Sequence, residues 1–196
     1  MEVVKVSRCW ARQNEAHLGG HTSNIPRLNS TNNPDENWVF LSTDGAVARD
    51  FGFAASEGVV RGHDGKWIVG FTRFLGVCSS FEAELCGILD GVLILLNKGY
   101  RRAIIMIDNL EVAQNLEDLD LEDSGIAVLR RIQQLLRSEE EWKIKHIPID
   151  QNLVADRLAK FGLNWKSSLQ VINKAPKEVL DLLQADSVNN RFMNLM

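Results

Sequence analysis

The sequence predicts an α/β domain: one mixed five-stranded sheet, three antiparallel strands followed by parallel ones, with helices on both faces. Three observations predict it. Apolar, β-branched segments of strand length recur at residues 38–44, 51–62, 66–76, 102–108 and 141–147. The first three follow one another with turn residues between them, whereas the last two are separated by stretches of helical periodicity. The 196 residues are 45% hydrophobic, enough to bury one sizeable core.

Each element has its own local reason. Residues 1–36 are mixed and polar, and "NSTNNPDEN" at 29–37 is almost free of apolar side chains, so a flexible leader is expected there. "WVFLSTD" carries apolar residues on both faces, as a strand covered on both sides does. "HDG" at His63–Gly65 joins the next two strands as a hairpin. Ser79 and Ser80 supply cap chemistry, after which Leu85, Ile88, Leu89, Val92, Leu93 and Leu96 repeat at helical spacing until "NKG" ends the run. The strand "RAIIMID" ends at Asp108, and helices are expected near Leu110–Asn115 and Ser124–Arg137. "EWKIKHI" alternates Trp142, Ile144 and His146 against Lys143 and Lys145, and a last helix starts near Gln151. The domain proper is then 37–165. Residues 166–196 form an extension with one short helix in "APKEVLDLLQAD", which has Pro176 near its start and Val179, Leu180 and Leu183 along one side.

Composition narrows the function classes. The longest apolar run is "VLILL" at Val92–Leu96, too short to span a bilayer, and the first residues lack a signal-peptide core, so an intracellular chain, nuclear or cytoplasmic, is expected with no membrane partner. Cys9, Cys78 and Cys86 form no C-x-x-C pair, which argues against a disulfide framework or a structural zinc site. The net charge of −4 and pI near 5.6 argue against a nucleic-acid binder. That objection weakens if the acids are clustered around divalent cations, which reverse the local sign of charge.

Asp44 stands where an apolar strand ends and a glycine begins. As a lone Asp-Gly pair it is a turn former. A metal-binding reading demands further carboxylates, and the sequence offers Glu84 early in the main helix, Asp108 at the end of the fourth strand and Asp156 early in the last helix. If the first and fourth strands are parallel neighbours, Asp44 and Asp108 emerge side by side at one sheet edge. Converging carboxylates raise each other's pKa and lose water, so something positive must compensate. Oxygen-only ligands select Mg²⁺ or Mn²⁺, and two such ions about 3.5 to 4 Å apart clamp the attacking and leaving oxygens of a phosphodiester. Phosphodiester hydrolysis is the chemistry implied.

At these residues "STDGA", "SSFEAEL", "IMID" and "HIPIDQNLVADRLAK" resemble the successive signatures of type 1 ribonuclease H domains, in particular the plant reverse-transcriptase-like branch related to retrotransposons. The resemblance covers roughly Trp38 to Leu163. It implies a ribonuclease H-like fold with Asp44, Glu84, Asp108 and Asp156 as catalytic metal ligands for two Mg²⁺, or Mn²⁺, ions. Glu82 competes with Glu84, but the two point about 200° apart on a helix and the motif favours Glu84. The resemblance further implies a proton-transfer or product-release role for His146, and substrate contacts for Gly45, Ser80 and Asn152; Asn152 suits a helix cap equally. The implied partner is an RNA–DNA hybrid whose RNA strand is cut to leave a 3′ hydroxyl and a 5′ phosphate. The chain is expected to act as a monomer or as part of a larger polyprotein.

The match departs from the family's pattern at "AVARDFG", at Met106 and Ile107, and at Ile149, none of which removes a metal ligand. The basic residues come only as short pairs: Arg101 with Arg102, Arg130 with Arg131, Lys143 with Lys145. The acidic charge and the altered turn motivate a second reading, a nucleic-acid-binding domain without catalysis.

Overall fold

The computed structural model describes residues 38–117, 127–139 and 141–188. The expected leader and the first residues of the helix expected from Ser124 lie outside them.

The chain runs β1 (Trp38–Val47), β2 (Phe53–Gly62), β3 (Trp67–Val77), α1 (Ser80–Lys98), β4 (Arg102–Ile107), α2 (Leu110–Glu117), α3 (Ala127–Arg137), β5 (Glu141–His146), α4 (Leu153–Trp165), β6 (Gln170–Ile172) and α5 (Leu180–Val188). Short 3₁₀ turns at Ile149–Gln151 and Lys177–Val179 lead into α4 and α5. The sheet order is β5-β4-β1-β2-β3-β6. It therefore has six strands where five were expected. The added strand is three residues long and largely exposed, too short and too polar to produce a period-two signal.

β1 pairs antiparallel with β2 and parallel with β4, and β5 pairs parallel with β4. β1 and β4 run the same way, with Ser42 opposite Met106, which brings Asp44 level with Asp108 just past the end of β4; β1 itself was expected to end at Asp44 but continues beside β2 to Val47. Alternation along β2 shows the two layers: Val60 packs with Leu41, Ile88 and Val92 under α1, while Val59 packs with Val154 and Leu158 under α4. α2 and α3 join the α1 layer through Val112, Leu116, Leu129 and Ile132.

The position of α1 is fixed at both ends. Ser79 accepts from the Glu82 amide at 3.2 Å, and Glu82 accepts from the Ser79 amide at 2.8 Å, a reciprocal cap worth about 1 kcal/mol. Gly99 closes the helix in the left-handed region at φ 76°, a conformation that costs glycine little. Between them Arg73 of β3 and Asp90 of α1 form a buried ion pair at 2.9 Å.

Among the described residues no helix is long and apolar enough to cross a membrane.

Candidate metal centre

The end of β1 approaches the first turns of α1 very closely. A Cβ built on Gly45 would lie 2.4 Å from the Glu84 amide nitrogen and 2.7 Å from the Ala83 carbonyl carbon. Only a residue without a side chain lets the helix come that near, and the approach carries Glu84 over Asp44. The Gly45 amide also donates to Asp44 Oδ1 at 2.9 Å, which orients that carboxylate.

Asp44, Glu84 and Asp108 each present a carboxylate oxygen within 4.8 Å of the others. Glu84 is buried, and its Oε2 has no hydrogen-bond partner. Burial first, then the neighbouring charges of Asp44 and Asp108, pushes Glu84 up to about 9. Burial, then Asp108, raises Asp44 to about 6; Asp156 adds to the rise, while the Gly45 amide and Lys160 oppose it. Such raised values are what converging acids show without compensating positive charge. The orphaned Glu84 oxygen and the all-oxygen donor set fit a hard divalent cation.

The other expected site residues sit around this trio. Asp156, in the first turn of α4, acts on Asp44 through its charge, but its carboxylate is partly exposed and paired with Lys160 at 3.0 Å. Asn152 is almost fully buried and makes no helix-cap bond with its side chain. Its Nδ2 donates instead to the Thr43 carbonyl at 2.8 Å and to Asp108 Oδ2 at 3.1 Å, tying β1 and β4 together at the site. His146 is exposed at the end of β5, with Nε2 3.2 Å from the Asp108 carbonyl oxygen. A carbonyl only accepts, so this contact places the proton on Nε2 and leaves Nδ1 unprotonated in the neutral ring. Ser80 is exposed at the first position of α1, and Glu82 is occupied by its cap.

Sequence reasoning missed Glu57. It lies in the middle of β2, fully buried, directly opposite Asp44 in the β1–β2 register. A signal existed, a carboxylate inside an otherwise apolar strand. Its alignment with Asp44 depends on the turn at 48–52, which the sequence does not reveal.

The sequence profile of the family described as reverse transcriptase-like matches residues 42–162. The Arabidopsis thaliana protein At1g65750, provisionally named a ribonuclease H protein, is 27% identical over 200 residues, covering 95% of this chain and 31% of its own length. The chain thus spans under a third of that relative. Among solved structures, the ribonuclease H1 of the archaeon Halobacterium salinarum superposes with a TM-score of 0.58 at 24% identity, over 65% of this chain and 98% of that one. LC11-RNase H1, isolated from compost and solved in complex with an RNA/DNA hybrid, superposes with a TM-score of 0.56 at 15% identity, over 65% of this chain and 97% of its own.

Proposed function

The chain belongs to the reverse transcriptase-like family, and from that premise we propose that it hydrolyses the RNA strand of RNA–DNA hybrids endonucleolytically. The observation that carries this reading is the convergence of Asp44, Glu84 and Asp108 within 4.8 Å, inside the segment that the family matches.

Asp44, Glu84, Asp108 and Asp156 would hold two Mg²⁺ or Mn²⁺ ions. When bound, such ions lower the pKa of an attacking water and stabilise a departing 3′ oxygen. The chain's own residues prepare the place for them. Gly45 fixes one oxygen of Asp44 and leaves the second for coordination. Asn152 holds Asp108 in register with β1, and Lys160 keeps Asp156 at the rim of the site. His146, anchored through Nε2, presents Nδ1 as a proton acceptor beside the site. Gly45 and Ser80 would contact the substrate backbone, and choice of RNA over DNA would come from contact with the 2′-hydroxyl and not from base reading.

A hybrid labelled on the RNA strand and blocked at both ends tests the proposal. Internal cuts with Mg²⁺ or Mn²⁺ that vanish with chelator are expected, and Asp44→Asn should abolish them while the circular dichroism of the fold is retained. A protein that retards the hybrid on a gel yet leaves it whole in both lanes is a binding module instead. Undiminished cutting by Asp44→Asn would remove Asp44 from the chemistry.

A further inference from the structure

The turn that joins β1 to β2 is closed by its own backbone. The Gly52 amide donates to the Ala48 carbonyl at 3.0 Å, and the Ala48 amide donates to the Phe53 carbonyl at 2.7 Å. Gly52 takes the left-handed region at φ 64°, which costs glycine little. The closed turn holds Phe51 out in solvent, 72% exposed. Phe51 is not isolated. Its ring meets Phe53 at 5.9 Å between centroids, Phe53 meets Phe74 at 5.6 Å, and Val77, 51% exposed, stands beside Gly52. A contiguous aromatic and apolar patch therefore covers the start of β2 and the end of β3.

A positive charge is built onto the patch. The Lys166 ammonium lies 5.0 Å from the centre of the Phe53 ring, a cation–π contact. Lys166 ends α4 in the left-handed region at φ 45°, alone among the described non-glycine residues in that conformation. A left-handed helix end ordinarily falls to glycine or asparagine, so lysine accepts strain at the point where it delivers its charge to the rings. The next residue ties the segment down, since the Phe74 amide donates to the Ser167 carbonyl at 2.9 Å. Arg49 and Asp50, both exposed in the turn, offset one another and leave the sign of the patch to Lys166.

The patch and Asp44 share one face of the sheet. Asp44 stands opposite Glu57, and Phe74 stands opposite Ala55. Alternation puts Phe53, Ala55 and Glu57 on one side of β2, the side that α4 covers, in keeping with the Lys166 contact at Phe53. β1 runs from Asp44 only to Val47, about 10 Å, before the turn begins. We propose that Phe51, Phe53 and Phe74, with Lys166, form a docking surface for single-stranded nucleic acid that runs on from the hybrid. A base stacks on the exposed Phe51 ring and a backbone phosphate meets the Lys166 ammonium. Both contacts are the same for RNA and DNA, so a tail of either strand fits. Nucleic acid as the occupant, rather than a second copy of the chain, rests on the functional reading of the metal centre and on the cation set among the rings.

Fluorescence anisotropy in chelator, where nothing is cut, tests it. The probes are a blunt RNA–DNA hybrid of about ten base pairs and the same hybrid with a tail of about six nucleotides, placed in turn on each end of each strand. At least one tail should tighten binding by about fivefold or more, and added salt should weaken that gain. The tail that gives the gain identifies the strand as RNA or DNA. The gain should vanish in Phe51→Ala, which removes a ring lying mostly in solvent and should keep the circular dichroism of the natural chain. Lys166→Gly suits the left-handed backbone and should melt no lower than the natural chain while losing part of the gain. Both variants should bind the blunt hybrid as the natural chain does. A gain below about twofold for every tail, or one that survives whole in Phe51→Ala, overturns the inference alone when the blunt hybrid is still cut with Mg²⁺. A chain that neither binds a hybrid in chelator nor cuts one with Mg²⁺ overturns the functional reading as well. Self-association in sedimentation that Phe51→Ala abolishes would make the patch a contact between copies and overturn the inference too.

Discussion

An alanine at position 45 tests how tightly the end of β1 and the start of α1 are pressed together. The new methyl carbon would meet the Glu84 nitrogen at 2.4 Å, the Ala83 carbonyl carbon at 2.7 Å and the Ala83 Cβ at 2.9 Å. Two of these three atoms are backbone, so no rotamer change relieves the clash. To restore an ordinary contact of 3.4 Å, the first turns of α1 must retreat by 3.4 − 2.4 = 1.0 Å. Overpacking of this kind costs about 1–3 kcal/mol, and exchanging glycine for alanine in a strand returns about 0.5–1 kcal/mol through the unfolded chain. The net loss is about 1–2 kcal/mol. At about 2–4 °C per kcal/mol for a chain of this length, the melting temperature should fall by about 2–8 °C. The retreat also draws Glu84 away from Asp44, and under the proposed function a displacement of about 1 Å there should cost on the order of 100-fold in rate. Thermal melting of the metal-free protein and the hybrid-cleavage rate measure the two effects. A Gly45→Ala protein with the melting temperature and rate of the natural chain would show that α1 yields freely, and the geometric account of the site would fail.

Other predictions follow from the same coordinates. Glu57 and Glu84 rise from 4.5 to about 9 and Asp44 from 3.8 to about 6 on folding, so the folded state holds protons that the unfolded chain has already released. Metal-free stability should therefore be full below about pH 4 and decline as pH rises through 9; urea midpoints that stay level from pH 5 to 9 would contradict this. Added Mg²⁺ should flatten the decline. Asn152→Ala removes two hydrogen bonds and unties β1 from Asp108, which should cost about 1–3 kcal/mol in urea unfolding and weaken Mg²⁺ binding measured by calorimetry. Asp90→Ala strands Arg73 in the core and should cost about 3–5 kcal/mol while leaving cation affinity unchanged, since the pair lies in the α1–β3 interface; a large change in affinity would place it in the site after all.

The converging trio was legible because apolar runs are marked in sequence, although β1 continues past Asp44 to Val47. Asp44 and Asp108 each follow an apolar run, and the parallel pairing of β1 with β4 brings them level. The choice between Glu82 and Glu84 was legible from helical angle and motif together, and the structure gives Glu82 the cap and Glu84 the approach to Asp44. Glu57 was hidden for a different reason. Its partner is set by the β1–β2 register, which the turn at 48–52 fixes and no periodicity records. Asn152 was read as a cap or a substrate contact because its helix-starting position suggested both, whereas its side chain turns inward to Thr43 and Asp108, 109 and 44 residues away in sequence. Long-range hydrogen bonds of that kind leave no local trace.

β6 takes up the outer side of β3 through Gly70, Phe71 and Thr72, Trp67 Nε1 reaches the Ile172 carbonyl at 3.3 Å, and Val179 packs fully buried beside Val59, Val154 and Leu158. A bare strand margin invites a foreign strand. A chain cut after residue 165 would uncover that margin and an apolar hollow at once, so sedimentation should find it self-associating where the full chain does not. Residues 166–188 thus act as a guard rail, and anyone trimming this protein to its matched segment removes it.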